Sequence, residues 1–159
     1  MKLSENFTLD ELTKSQEAIR LGIDNEPSDV QITNLMLLCT NILQPIRDFY
    51  QLPVSVSSGY RSLELCKAIG SSATSQHTKG QAADFEIFSV DNAKLADWIH
   101  ENLQYDQLIL EFYIPGEPNS GWIHCSYIPE GRRRQFLLAY KSEGKTKYKP
   151  VLGDRKSVV

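Results

Sequence analysis

Three histidines occur in the 159 residues, and two of them sit where metal chemistry is feasible. His77 lies in a polar loop, Ser75-Gln76-His77-Thr78-Lys79-Gly80-Gln81-Ala82-Ala83-Asp84, just ahead of a strand-like alternation. His124 lies in a second strand-like segment, Gly121-Trp122-Ile123-His124-Cys125-Ser126. Catalytic zinc typically takes three nitrogen or carboxylate ligands and keeps a fourth position open for water, whose pKa it lowers to about 7. His77, Asp84 and His124 offer such a set. Seven positions along a straight strand put His77 and Asp84 on opposite faces, and seven along a helix separate them by about 10 Å. A turn at Lys79-Gly80 removes the difficulty, because Gly80 supplies backbone freedom and His77 folds back beside the Asp84 face, where Ala82 leaves space. Spacing alone leaves a second reading open: a surface loop histidine and a strand histidine satisfied by a hydrogen bond. His100 falls in a helical pattern and reads as a surface or helix-end residue.

The elements that must position these residues are legible in outline. Thr8 followed by Glu11 is a capping-box pattern and predicts a short helix over Ser4–Leu12. Residues 22–28 read as a loop. Ser28 or Asp29 opens a helix to about Tyr50, with Ile32, Leu35, Met36, Cys39, Ile42, Leu43 and Ile46 at helical spacing and Pro45 as a point of kinking. Strands are expected at 53–58, 82–88, 107–113, 121–127 and near 134–141, and helices at Leu63–Ile69 and Asp91–Leu103. A hairpin of 107–113 with 121–127 would set Ile109, Glu111 and Tyr113 on the face of Trp122, His124 and Ser126. The expected class is α+β, with helices packed on a small antiparallel sheet. The expected organisation is a single domain over 1–159, its core about 1–141 and a basic tail at 142–159.

Composition narrows the function classes. Hydrophobic residues make up 41% and charged residues 23%, ordinary values for a globular domain. No run of about 18 apolar residues exists, so no membrane span is expected. The N-terminus, MKLSENFTLDEL, is acidic and amphipathic, without the apolar stretch of a secretory signal. The expectation is therefore synthesis in the cytoplasm, where the chain either stays or from which it leaves by lysis or with another particle. Cys39, Cys66 and Cys125 are odd in number, widely spaced and without a CxxC, which argues for free thiols. Residues 1–130 carry 8 basic and 18 acidic side chains, and residues 131–159 carry 9 and 2. The basic end, with Arg132, Arg133 and Arg134, could touch an anionic polymer, or be a solvated edge strand and tail in which lysines block pairing. No nucleic-acid motif appears, and a monomer is expected.

Ser75-x-His77-x-x-Gly80-x-Ala82-x-Asp84 resembles the SxHxxGxAxD signature of the zinc D-Ala-D-Ala carboxypeptidase family. That family includes vancomycin-resistance D,D-dipeptidases and phage endolysins, and it shares its fold with the hedgehog signalling domain. Ser58-Gly59-Tyr60-Arg61-Ser62, Asp106–Glu111 and Trp122-Ile123-His124 resemble further family segments in the same order. The resemblance implies a hedgehog/DD-peptidase-like fold and one zinc ion held by His77, Asp84 and His124. It makes Glu111 the general base and Arg61 the partner of a substrate carboxylate or of the oxyanion, with Tyr60 and Ser75 lining the cleft or shaping its loops. The implied activity is hydrolysis of bonds next to D-amino acids in peptidoglycan stem peptides, as a carboxypeptidase or an L-Ala-D-Glu-type endopeptidase, in the manner of a phage lysin. Many members place the glutamate three residues before the last histidine. Gly121 stands there in this chain, so Glu111 must arrive from the neighbouring strand, with Glu117 as the alternative base. The same departure keeps a second expectation open: a non-catalytic zinc-containing module that binds cell wall or protein.

Overall fold

The computed structural model describes residues 1–151, so the last part of the expected tail, 152–159, lies outside the described residues. The chain starts with a two-stranded ribbon, β1 (Lys2–Ser4) against β2 (Phe7–Thr8), and only then turns into α1 (Leu9–Thr13). The capping box forms as Thr8 and Glu11 predict, with the Thr8 side chain accepting from the Glu11 N–H and Glu11 accepting from the Thr8 N–H. The helix begins at Leu9 rather than at Ser4 because the residues before the cap are extended and paired. A helix that the sequence reading left unassigned, α2 (Gln16–Leu21), follows under a Ser15 cap and stops at Gly22.

The long apolar-periodic segment is α3 (Asp29–Leu38), a π-helical turn at Cys39–Leu43, and α4 (Gln44–Tyr50). Pro45 has no N–H to give the carbonyl four residues back. The wider turn absorbs that defect just before it, with the Gln44 N–H reaching the Cys39 carbonyl. Leu35, Leu38, Cys39, Ile42, Leu43 and Ile46 form the fully buried stripe of this helix.

The remaining elements are β3 (Ser55–Ser58), α5 (Leu63–Ala68), a 3-10 turn at Gln76–Lys79, β4 (Ala82–Glu86), α6 (Asn92–Asn102), β5 (Gln107–Glu111), β6 (Trp122–Ser126), β7 (Gln135–Ser142) and β8 (Lys145–Pro150). They build one six-stranded sheet in the order β3-β4-β6-β5-β7-β8. The class is α+β, but the sheet is larger than expected and mixed, since β5 and β7 run parallel. The reason lies in the 127–134 connection. Instead of turning back as a hairpin, it crosses the start of β5 and is fastened there. The Arg133 backbone N–H donates to Asp106 Oδ1 at 2.8 Å, and its guanidinium donates to Asp106 Oδ2 at 2.8 Å.

One face of the sheet carries Ala83, Phe85, Leu108, Leu110, Ile123, Cys125 and Phe136 into a core shared with the long helix and α6. Alternation leaves Ala82, Asp84, Ile109, Glu111, Trp122 and His124 on the other face. All three cysteines are buried and free.

The basic end divides into two parts. Residues 145–150 are the edge strand β8 paired with β7, not a tail, so the folded sheet extends past 141. Lys145, Lys147 and Lys149 alternate along that edge, where charge discourages pairing with another chain. Two members of the arginine run, Arg132 and Arg134, are folded back onto the protein. Arg132 donates to the Ile128 and Pro129 carbonyls and lies over the Tyr127 ring. Arg134 donates to the His100 and Leu103 carbonyls and lies over Tyr105. No helix among the described residues is long and apolar enough to cross a membrane.

Candidate metal and catalytic site

His77 is presented by the 3-10 turn, which Ser75 caps by accepting from the His77 N–H and which Gly80 ends in the left-handed region. Helix α3 pins this turn from behind: Gln31 donates to the Thr78 carbonyl and Asn34 to the Lys79 carbonyl. A side chain at Gly80 would meet the Gln31 carbonyl at 2.6 Å. The His77 ring is fixed by a 2.6 Å contact of Nδ1 with the Gly59 carbonyl, so Nδ1 carries the hydrogen and Nε2 is left with its lone pair. Nε2 lies 3.4 Å from Asp84 Oδ1.

Asp84 and His124 are register partners on β4 and β6, and Ile109 of β5 is His124's partner on the other side. His124 Nδ1 lies 2.9 Å from the same Asp84 Oδ1. One ligand atom from each of His77, Asp84 and His124 falls within 4.8 Å of the others, all three residues being buried. Burial pushes the Asp84 carboxyl up, but the adjoining imidazoles, His124 first and then His77, outweigh it and hold the group far below the ordinary carboxylate range. Two imidazoles and an anionic oxygen converging on one point fit a zinc ion, and the Gly59 carbonyl behind His77 is the kind of outer partner that fixes a ligating ring.

The site opens into a cleft of about 450 Å³ lined by Arg61, Ser75, Ile109, Glu111, Trp122 and Tyr148 among others. A family model described as Peptidase M15 matches residues 5–126. The chain belongs to this family. No curated protein matches it.

Membership in the M15 peptidases makes the position of the glutamate the informative departure. Glu111 pairs directly with Trp122, two residues from His124, and its Oε2 accepts from Trp122 Nε1 at 3.0 Å. Burial raises the Glu111 pKa, the Asp84 charge raises it further, and His124 and the Trp122 hydrogen bond only partly offset this. Gly121 has no room for a carboxylate. It sits at φ 67, and a Cβ there would lie 2.0 Å from the Glu111 carbonyl oxygen. Gly121→Ala is therefore expected to lower stability by roughly 3–5 kcal/mol, since a left-handed backbone and a clash with main chain act together. Urea denaturation measures it, and a change near zero would mean that the hairpin can open at this point.

Other predicted residues divide. Ser75 both lines the cleft and caps the turn. Tyr60 does not line it: its ring is 6% exposed and packs in the core, while its backbone N–H donates to the Leu12 carbonyl. Glu117 is exposed in the 112–121 connection and is not among the cleft residues. Tyr113 leaves the expected face, because Phe112 takes φ 58 and reverses the alternation. Phe112 then packs beside Trp122, and Tyr113, half-buried, packs against the core. His100 is at a helix end, with Nδ1 2.6 Å from the Tyr105 hydroxyl.

Arg61 is tied to the candidate ligand set itself. Its Nη2 donates to Asp84 Oδ2 at 3.2 Å, Nε to Ser58 Oγ at 2.8 Å and Nη1 to Ser71 Oγ at 3.3 Å. Asn92, which carried no signal in the sequence, is 1% exposed, and its amide reaches the Ser120 and Gly121 carbonyls. It clamps the connection that delivers Trp122 and His124.

Proposed function

We propose that this M15 peptidase is a zinc enzyme that hydrolyses bonds next to D-amino acids in peptidoglycan stem peptides, as a carboxypeptidase or an endopeptidase. Release by phage lysis or with a virion is the setting that this proposal favours. The observation that carries it is the convergence of His77 Nε2, Asp84 Oδ1 and His124 Nδ1 at the floor of a cleft into which Glu111 also projects. Zinc held by those three residues would supply electrophilic polarisation of the scissile carbonyl and acidify a water.

The chain's own groups handle the protons and the geometry. Glu111, anchored at Oε2 by Trp122, takes a proton from the attacking water and passes it to the departing amine. Its raised pKa brings it closer to neutrality, which favours both transfers. Arg61 fixes the second Asp84 oxygen, leaving Oδ1 directed at the two imidazoles. A non-catalytic module had its best support in the displaced glutamate, and the Glu111–Trp122 register weakens that support.

Purified protein incubated with bacterial peptidoglycan, with and without a chelator, tests the proposal. Peptide release that the chelator abolishes and zinc restores is expected, and mass spectrometry of the fragments names the bond. Zinc-loaded protein that releases nothing would overturn the peptidase reading in favour of the binding module.

A further inference from the structure

Arg61, which the family resemblance assigns to a substrate carboxylate, has each of its three guanidinium nitrogens occupied, by Ser58, Ser71 and Asp84. The cleft holds a second guanidinium. Arg133 comes from the 127–134 crossover, outside residues 5–126 that the family model matches. We infer that Arg133 is the residue of this cleft that binds a carboxylate of the substrate. The inference deepens the peptidase reading and rests on it.

The geometry is that of a pre-oriented fork. Asp106 is 1% exposed and takes hydrogen bonds from Arg133 Nε and Nη2 at 3.2 and 2.8 Å. These hold the guanidinium plane in place while the Arg133 side chain remains 51% exposed. Its Nη1 makes no hydrogen bond among the described residues and is available to a ligand. Gln76 donates to Asp106 Oδ2 at 3.0 Å and accepts from Arg133 Nη2 at 3.3 Å. A carboxylate held there is thus anchored to the turn that carries His77.

Thr74, Ser75 and Gln107 line the same cleft and supply neutral polar groups to it. Charge points the same way. Asp84 and Glu111 make the cleft floor acidic and Arg61 is already paired with Asp84, whereas Arg133 keeps its whole Nη1 group for an anionic peptide. Arginine suits a carboxylate because its fixed N–H groups match the two oxygens. Stem peptides carry free carboxylates, whereas their amidated forms offer a neutral amide at the same place.

The test compares synthetic stem peptides that differ only in having each free carboxylate, in turn, converted to carboxamide. Binding is measured by calorimetry to the zinc-loaded Glu111→Gln chain, and hydrolysis is measured with the unmodified chain. One carboxylate is expected to be preferred over its amide by roughly 10–100-fold, the range for a hydrogen bond to a charged group. Arg133→Gln is expected to erase that preference while leaving the amidated peptide's affinity unchanged. The double variant Asp106→Asn/Arg133→Gln does the same without leaving a buried carboxylate unpaired, so a folding defect in the single variant is separable.

Equal loss for both peptides, or a preference that survives in both variants, overturns the inference while the peptidase reading stands if hydrolysis continues. Carboxylate-selective binding without hydrolysis by the unmodified chain overturns the peptidase reading and leaves the role of Arg133 intact. Binding of neither peptide overturns both.

Discussion

Glu111→Gln is expected to keep zinc at one ion per chain and to lower kcat by about 10²–10⁴-fold, the range for losing a positioned proton-transfer group. Glutamine preserves the shape and can still accept from Trp122 Nε1, so the hairpin and the metal ligands stay in place. What disappears is the ability to take a proton. The pH profile gives a second check. Glu111 works as a base only when ionised, so activity should show an acid limb, and burial beside Asp84 raises the group's titration above an ordinary carboxylate's in the metal-free protein. The charge of a bound zinc ion acts in the opposite direction, so this limb lies lower in the loaded enzyme than in the metal-free protein's Glu111 titration. In the glutamine variant the limb should vanish. Turnover close to the parent's, with metal content verified, would remove Glu111 from the role of base.

Asp84→Asn should be more damaging to the metal than to the fold. Asp84 Oδ1 faces both imidazoles, and Oδ2 accepts from Arg61. An amide has one oxygen, so its NH₂ must point either at the metal position or at the guanidinium, and neither accepts a hydrogen. Changing an outer partner of a metal ligand typically costs about 10–100-fold in affinity, and loss of an anionic ligand should exceed that range. Competition with a fluorescent zinc chelator measures it, and hydrolysis should drop to background at limiting zinc. An unchanged zinc affinity would show that the ion, if bound, sits elsewhere in the cleft.

These expectations depend on features that the sequence displayed unevenly. The return of His77 toward Asp84 was readable because Gly80 marks the turn and the spacing excludes a straight element. The cross-strand approach of Glu111 was readable because alternation on two strands joined by a Pro/Gly-rich connection fixes which residues face each other. The parallel pairing of β5 with β7 was not readable. It depends on Asp106 and Arg133, which are 27 positions apart and carry no periodic signal. The commitment of Arg61 to Asp84 was hidden for the same reason, since local pattern assigns a residue to a face but not to a partner. The left-handed Phe112 is a third case: nothing in its side chain asks for φ 58, and the reversal it imposes misassigned Tyr113. Pro45 shows the opposite situation, a local defect announced plainly, whose remedy, a π-helical turn, was one of several that the sequence allowed.

The strand order also has a consequence for biosynthesis. The proposed ligand set is complete once residue 124 has emerged, but the cleft residue Arg133 follows it, β5 acquires its second neighbour only when β7 arrives, and the cleft residue Tyr148 comes later still. At 5–20 residues per second the interval from His124 to Tyr148 is about 1–5 s. Until β7 emerges, in the first part of that interval, β5 presents an open edge next to Leu108 and Leu110, a sticky surface on a nascent chain. A ribosome-bound intermediate would thus be able to capture metal before it could shape a substrate cleft, and a chaperone's most valuable moment is that short wait for the final two strands.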